Sequence, residues 1–229
     1  MQIEGSVALV TGANGGIGKY YVDALLEAGA ARIYAGARNA DSVSQMTFTD
    51  PQRIIPIRLD ITNEQSVSAV AAKCQDVTLL INNAGVALNY GGLVTAPNLA
   101  KARTEIEVNY FGTLAMCRAF APILKANGGG AIANVLSILA RVTAPVLGSY
   151  CASKAAALAL TQGVRAELAA QGTLVIAVMP GTVDTEMSKD YLPPKVSPVE
   201  VARATLQAVI DGVEEVYPGE QATETEKRS

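Results

Sequence analysis

Tyr150 and Lys154 stand four residues apart in the stretch Tyr150-Cys-Ala-Ser-Lys154, which reads as helix. At that spacing a phenol and an ammonium leave the same face one turn apart. A tyrosine titrates near pH ~10 in isolation, so at neutral pH it is a poor proton donor or acceptor unless a positive charge stabilises its phenolate. Lys154 can supply that charge. The pair alone is ordinary on helices, and its meaning depends on what surrounds it. The 229 residues include no histidine, which removes Ser-His-Asp catalysis, Cys-His catalysis and most zinc chemistry. Any acid or base here must be Tyr, Lys, Asp or Glu.

A second stretch with chemical content is Thr11-Gly-Ala-Asn-Gly-Gly-Ile-Gly18, which directly follows an apolar run and leads into a helical pattern. Gly12, Gly16 and Gly18 permit positive φ and let backbone approach a pyrophosphate, whose charge then sits at a helix N-terminus with unsatisfied amides. The spacing departs from the common G-x-G-x-x-G, because three residues separate Gly12 from Gly16. The bland alternative is a tight strand-to-helix turn, which needs fewer glycines than this segment carries.

The elements that must hold these residues alternate. Short β-branched runs read as strands at Val7 to Val10, Arg32 to Ala37, Ile54 to Arg58, Thr78 to Ile81, Ala131 to Leu136 and Leu174 to Met179, with a weak seventh at Glu215 to Tyr217. Helical patterns fall at Gly16 to Ala28, Asn63 to Lys73, Leu99 to Lys125, Ser149 to Ala170 and Pro198 to Asp211. Repeated βα units predict an α/β chain with a single doubly wound, Rossmann-type parallel sheet of about seven strands and helices on both faces. Near-continuous apolar strands suit burial on both faces. Ligands of such sheets bind at the carboxyl ends of the strands, where strand order switches. One dinucleotide-binding and catalytic domain is expected over 1–218, followed by a polar, frayed tail over 219–229.

Composition narrows the partners. Half the residues are hydrophobic, 17% are charged and the net charge is −3, which fits a well-buried interior and argues against nucleic acid or an anionic membrane as partner. The longest apolar candidate, Ala131 to Leu147, is interrupted by Asn134, Ser137 and Arg141. No signal peptide or spanning helix is expected, and three widely spaced cysteines, Cys74, Cys117 and Cys151, suit packing in a reduced, cytoplasmic setting.

Thr11 to Gly18, Asn82-Asn-Ala-Gly85, Asn109, Ser137 and Tyr150-x-x-x-Lys154, in order and in register, resemble the short-chain dehydrogenase/reductase family over about Val7 to Met187. The resemblance implies hydride transfer between NAD(H) or NADP(H) and a carbinol or carbonyl carbon. It implies Tyr150 as proton donor or acceptor on the substrate oxygen, and Lys154 lowering its pKa and binding the nicotinamide ribose. Ser137 would hydrogen-bond the same oxygen, and Asn109 would hold a water linking Lys154 to solvent. For the cofactor it implies Gly12, Asn14, Gly16, Ile17 and Gly18 at the pyrophosphate, Asp60 and Ile61 at the adenine, Asn82, Ala84 and Gly85 at the adenosine ribose, and Pro180, Gly181, Val183 and Thr185 at the nicotinamide end. Outside such a constellation Ser137 would be a cap, Asn109 a buried helix polar group, and Asp60 a helix cap near Thr62.

Where NAD-specific members end their second strand in an acidic residue, this chain has Ala37 followed by Arg38. A guanidinium can pair with a 2′-phosphate, so NADP(H) is favoured and NAD(H) possible. Arg38 stands without the second basic residue that many NADP-using members carry where this chain has Gly15. The substrate site is expected between Leu88 to Val94, Ile138 to Leu147 and Asp184 to Pro194. There Ile138, Leu139, Val146, Leu147, Met187, Tyr191 and Leu192 suit an apolar or aromatic ketone or aldehyde, with Arg141 the exception at the rim. The resemblance further implies a homodimer or homotetramer formed through the two long helices. The rival reading, an NADP(H)-sensing regulatory or signalling protein with little turnover, would be marked by a damaged Ser/Tyr/Lys set, and here that set is intact.

Overall fold

The computed structural model describes residues 1–46 and 48–227. Its strands are β1 Val7–Thr11, β2 Arg32–Ala37, β3 Ile54–Arg58, β4 Leu79–Asn82, β5 Ala131–Val135, β6 Leu174–Val178 and β7 Glu215–Val216. They form one parallel sheet in the order β3-β2-β1-β4-β5-β6-β7. The chain winds outward from β1 to β3, then returns to place β4 on the other side of β1. That reversal opens a crevice between the carboxyl ends of β1 and β4.

Side-chain alternation along the strands feeds two cores. On one face Ala8, Val10, Ile33, Leu79, Ile81 and Ala133 pack in one cluster with α1 (Gly16–Glu27), the short α2 (Asp41–Ser44) through Val43, and α7 (Pro198–Asp211). On the other, Leu9, Leu80, Ile132 and Val175 pack with α3 (Glu64–Lys73), α5 (Thr113–Ala126) and α6 (Gly148–Leu168). Cys74, Cys117 and Cys151 are all buried and free. No helix among the described residues is long and apolar enough to cross a membrane.

Two expectations are corrected. The region read as one helix from Leu99 to Lys125 is α4 (Ala100–Ile106), a π-helical segment at Glu107–Gly112, and α5. Such widenings break no hydrophobic period, so a pattern of apolar residues does not reveal them, and they occur often at functional sites. Gly112 closes the segment against Ile61, where an added Cβ would come within 2.7 Å of the Ile61 side chain.

The tail from 219 does not fray throughout. Glu220–Glu226 forms α8; Arg228 and Ser229 lie outside the described residues. Ala222 is fully buried, and Gln221 Oε1 accepts a hydrogen bond from Thr182 N at 3.1 Å. An amphipathic anchor of two residues in a polar run leaves little periodic signal, but it buttresses the loop after β6. Truncation after Pro218 strips Thr182 of its partner and uncovers the site of Ala222. A loss of about 1–3 kcal/mol in unfolding free energy is expected from the unpaired amide, read from the shift of a urea unfolding midpoint; an unchanged midpoint would show α8 to be idle.

Candidate active site

The crevice is a cleft of ≈ 1380 Å³. It runs from the glycine-rich turn across the ends of β1 and β4 to the first turns of α6. Gly12 enters it with φ +65, and a Cβ there would come within 3.1 Å of Ala84 Cα. Thr11 and Asn83 stitch the two strand ends together. Thr11 Oγ1 accepts from Asn83 N at 3.0 Å and Ala84 N at 2.9 Å, while Asn83 Nδ2 donates to Thr11 O at 2.9 Å and Gly12 O at 3.2 Å. Asn83 was missed by sequence reasoning. The available signal was its place one residue past β4, beside the turn that follows β1.

Asn14, Gly16 and Ile17 line the cleft at the start of α1. Gly18 lies beneath it, packed so closely on the Gly12 carbonyl and the Asn83 amide that no Cβ could be accommodated. Its role is to let α1 approach the turn, which brings the helix N-terminus to the cleft. The floor is therefore a cradle of backbone kept open by missing side chains, and it fits a dinucleotide pyrophosphate.

Asn82 does not line the cleft. It lies in register with Asn134 on β5, and both side chains point to the α6 face. Asn82 Nδ2 donates to Asn134 Oδ1 at 2.9 Å, and Asn134 Nδ2 donates to Thr161 Oγ1 at 3.0 Å. This buried polar chain ties β4 and β5 to α6. Strand alternation turned residue 82 inward and left residues 83 to 85 at the cleft.

Ala84, Gly85, Ile61, Asp60 and Arg38 do line it. Asp60 Oδ1 accepts from Thr62 Oγ1 at 2.7 Å and Thr62 N at 3.0 Å. These bonds, with smaller help from Arg38 and Arg58, hold its carboxyl below the ordinary carboxylate range. The cap of α3 is Asn63, which accepts from Ser66 N at 2.9 Å, and not Asp60. Arg38 is exposed at the rim, directly after β2.

At the far end α6 presents Tyr150 on its first turn and Lys154 on the next. Lys154 is 5% exposed, and its Nζ donates to Val135 O at 3.0 Å. That carbonyl lies just past the last β4–β5 pair, Asn82 opposite Asn134. Nζ sits 5.7 Å from the Tyr150 ring centroid. Burial lowers the Lys154 ammonium to about 8 and pushes the Tyr150 phenol well above its ordinary value, with the Ser137 hydroxyl opposing. Burial thus keeps the phenol protonated in the folded chain, and the hydroxyl of Ser137 eases its ionisation. Ser137 follows β5 and also caps the short helix at Ile138–Ala140 by accepting from Leu139 N at 3.2 Å.

Asn109, on the π-helical segment, does not line the cleft. Its Oδ1 accepts from Val86 N at 2.9 Å, and its Nδ2 donates to Val86 O at 2.9 Å and Ser153 Oγ at 2.8 Å. It meets Lys154 over Gly85, where an added Cβ would come 3.1 Å from Asn109 Oδ1 and 3.3 Å from Lys154 Nζ. Pro180, Gly181, Val183 and Thr185, all after β6, line another wall of the cleft. Thr185 N-caps the short helix Glu186–Ser188.

Of the expected substrate residues, Ile138, Leu139, Leu147, Met187 and Tyr191 line the cleft, joined by Tyr90. Val146 and Leu192 do not, and are 61% and 85% exposed. Arg141 is engaged elsewhere, with its Nη2 at 2.7 Å from Glu215 Oε2.

The family model described as short chain dehydrogenase matches residues 6–195. A short chain dehydrogenase of Monascus purpureus is 36% identical over 199 residues, covering 81% of this chain and 68% of that protein. An uncharacterized oxidoreductase of Staphylococcus aureus is 32% identical, covering 89% of this chain and 90% of its own. The crystal structure of a short chain dehydrogenase from Burkholderia cenocepacia in complex with NADP superposes with a TM-score of 0.93 at 50% identity, covering 99% of this chain and 93% of that one. The chain belongs to the short-chain dehydrogenase/reductase family, oxidoreductases acting on CH–OH and carbonyl groups.

The buried ammonium has a measurable consequence. Below pH ~8 Lys154 is charged in both folded and unfolded chains, and the folded state bears the desolvation cost. Between ~8 and ~10.5 the folded chain has released its proton while the unfolded chain retains it, so stability rises with pH across that window. In the cofactor-free protein, wild type should gain roughly 2 kcal/mol relative to Lys154→Met between pH ~7.5 and ~9.5, below the range where tyrosines titrate. Parallel urea titrations at the two pH values check this; no relative gain would mean that Lys154 is solvated.

Proposed function

We propose that this protein reduces apolar or aromatic ketones and aldehydes with NADPH, and runs the reverse oxidation. The observation that carries the reading is the convergence of Ser137, Tyr150 and Lys154 on one cleft, continuous with the backbone cradle at Gly12 and walled by Ile138, Leu139, Leu147 and Met187. Arg141, the cation that the sequence places at the substrate rim, is paired with Glu215.

When bound, the nicotinamide supplies or accepts the hydride. Tyr150 gives its proton to the carbonyl oxygen, and the hydroxyl of Ser137 donates a hydrogen bond to that same oxygen. Both donors act where negative charge develops during reduction. The phenolate left on Tyr150 is stabilised by the nearby Lys154 ammonium, which would also hold the nicotinamide ribose. In the oxidation direction the same phenolate is the base. Asn109 fixes Val86 and Ser153 near Lys154 and would hold a water linking Lys154 to solvent. The preference for NADP(H) rests on Arg38 at the end of β2, with no carboxylate there, and is supported by the NADP bound to the related Burkholderia enzyme. A homodimer or homotetramer would use the outer faces of the π-helical segment, α5 and α6, where Phe111 is 50% exposed.

Tyr150→Phe keeps the ring and deletes the transferable proton. Turnover should fall by about 10² to 10⁴-fold while NADPH affinity, measured by fluorescence titration, stays near wild type; near-normal carbonyl reduction would remove Tyr150 from the mechanism. Arg38→Asp replaces a partner of the 2′-phosphate with a repulsive group. Charged hydrogen bonds contribute roughly 1.5 to 3 kcal/mol, so kcat/KM for NADPH should drop about ten- to a hundredfold, with NADH use level or improved. A wild-type NADPH/NADH ratio below one, or a ratio unmoved by the substitution, would return the assignment to NAD.

A further inference from the structure

Glu105 lies on α4 with none of its surface exposed. A carboxylate can only accept, and burying one without donors is costly. Here the donors come from two other elements. Leu88 N donates to Glu105 Oε1 at 2.7 Å and Asn89 N to the same oxygen at 3.0 Å. Ser149 Oγ donates to Oε2 at 2.6 Å. The first two belong to the loop that follows β4, and Ser149 is the residue before Tyr150 on α6.

The same network closes on itself from above. Asn89 Nδ2 donates to Ser149 Oγ at 3.0 Å and to Gly92 O at 3.2 Å. Leu93 then lies on Gly148, leaving no room for a Cβ there. The loop is thereby clamped to the first turn of α6. That loop carries Tyr90, which lines the substrate end of the cleft together with Tyr191. Glu105 itself does not line the cleft and touches none of the reacting groups.

We propose that Glu105 is a positioning residue for the reduction. Its buried carboxylate fixes the distance between the substrate-side loop at 88–93 and the helix turn bearing Tyr150, so that a bound carbonyl oxygen meets the phenol. The glycine cradle and Arg38 lie at the other end of the cleft and are untouched by this link. Its loss therefore shows in carbonyl turnover and not in cofactor binding. This inference rests on the carbonyl-reductase reading above, and its test separates the two.

The test compares wild type, Glu105→Gln, Glu105→Leu, Ser149→Ala and the Glu105→Leu/Ser149→Ala double variant in the full chain. It measures NADPH dissociation constants, kcat and KM on a carbonyl that wild type reduces, and amide exchange of the 88–89 segment. A small displacement at a reacting centre costs up to about a hundredfold, so Glu105→Leu should lose at least about tenfold in kcat/KM with NADPH affinity within about twofold of wild type. Glu105→Gln should keep kcat/KM within about threefold, because its amide oxygen can still accept from both backbone amides and its NH₂ can donate to Ser149 Oγ. Ser149→Ala should lose severalfold, and the double variant should be no worse than Glu105→Leu, since both cut one link. Exchange at 88–89 should accelerate in Glu105→Leu. Wild-type kcat/KM in Glu105→Leu, additive losses in the double variant, or an equal loss of NADPH affinity would overturn the proposal. If Glu105→Leu does not fold, wild-type kinetics in Ser149→Ala does the same. Should wild type reduce no carbonyl in a broad panel, the reductase reading falls. The clamp is then judged by exchange alone, and unprotected 88–89 amides in wild type would overturn it.

Discussion

The stitch between Thr11 and Asn83 is the constraint on which the site depends. Parallel strands β1 and β4 are neighbours in the sheet but distant in the chain, and past their last paired residues nothing in the ladder obliges their loops to stay together. A single hydroxyl accepting from two successive amides, answered by one side-chain amide donating to two carbonyls, holds the loops at a set separation. That separation is the width of the crevice. Gly12 and Gly18 are then the residues that must lack side chains, because Ala84 and the Gly12 carbonyl have been drawn to where a Cβ would stand.

From this stitch the polar interior extends toward α6. Asn82, Asn134 and Thr161 form a buried chain from the sheet to the helix, Asn109 ties Val86 to Ser153, and Lys154 closes on the Val135 carbonyl. These groups are costly to bury and are held by the bonds named, although Asn82 Oδ1 finds no partner among the described residues. Together they fix the rotation of α6 about its own axis, which decides whether Tyr150 and Lys154 face the cleft. Burial then acts oppositely on the two, keeping the phenol protonated and easing the proton off the ammonium. The apolar surroundings that raise the cost of charge also strengthen any electrostatic interaction that Ser137 and Lys154 make within the cleft.

Much of the fold was legible because α/β periodicity is local. The seven strands appear within a residue or two of their expected bounds, since apolar β-branched runs between helical patterns have few other uses. The cleft residues that follow strands were legible for the same reason: position after a parallel strand implies position at the crevice. What escaped notice depended on facing. Asn82 and Asn83 are adjacent asparagines, and only the register of β4 against β5 shows that the first turns inward and the second outward. Glu105 and Glu107 are near neighbours on one helical stretch, one with no exposed surface and the other exposed, and helix periodicity alone does not say which side the 86–93 loop will cover.

By itself, then, the amino-acid sequence determined the class of sheet, the place of the glycine turn, the Tyr150–Lys154 spacing and the absence of histidine chemistry. Each of these follows from residue type and short-range spacing. Tertiary structure decided which polar residues became site and which became scaffold, that the central helix widens at Asn109, and that the polar tail returns to brace Thr182. It also decided that Arg141 is spent on Glu215. The physical reason is common to all of them: a hydrogen bond or an ion pair needs its partner within about 3 Å, and for residues far apart in the chain that proximity exists only once the sheet has assembled.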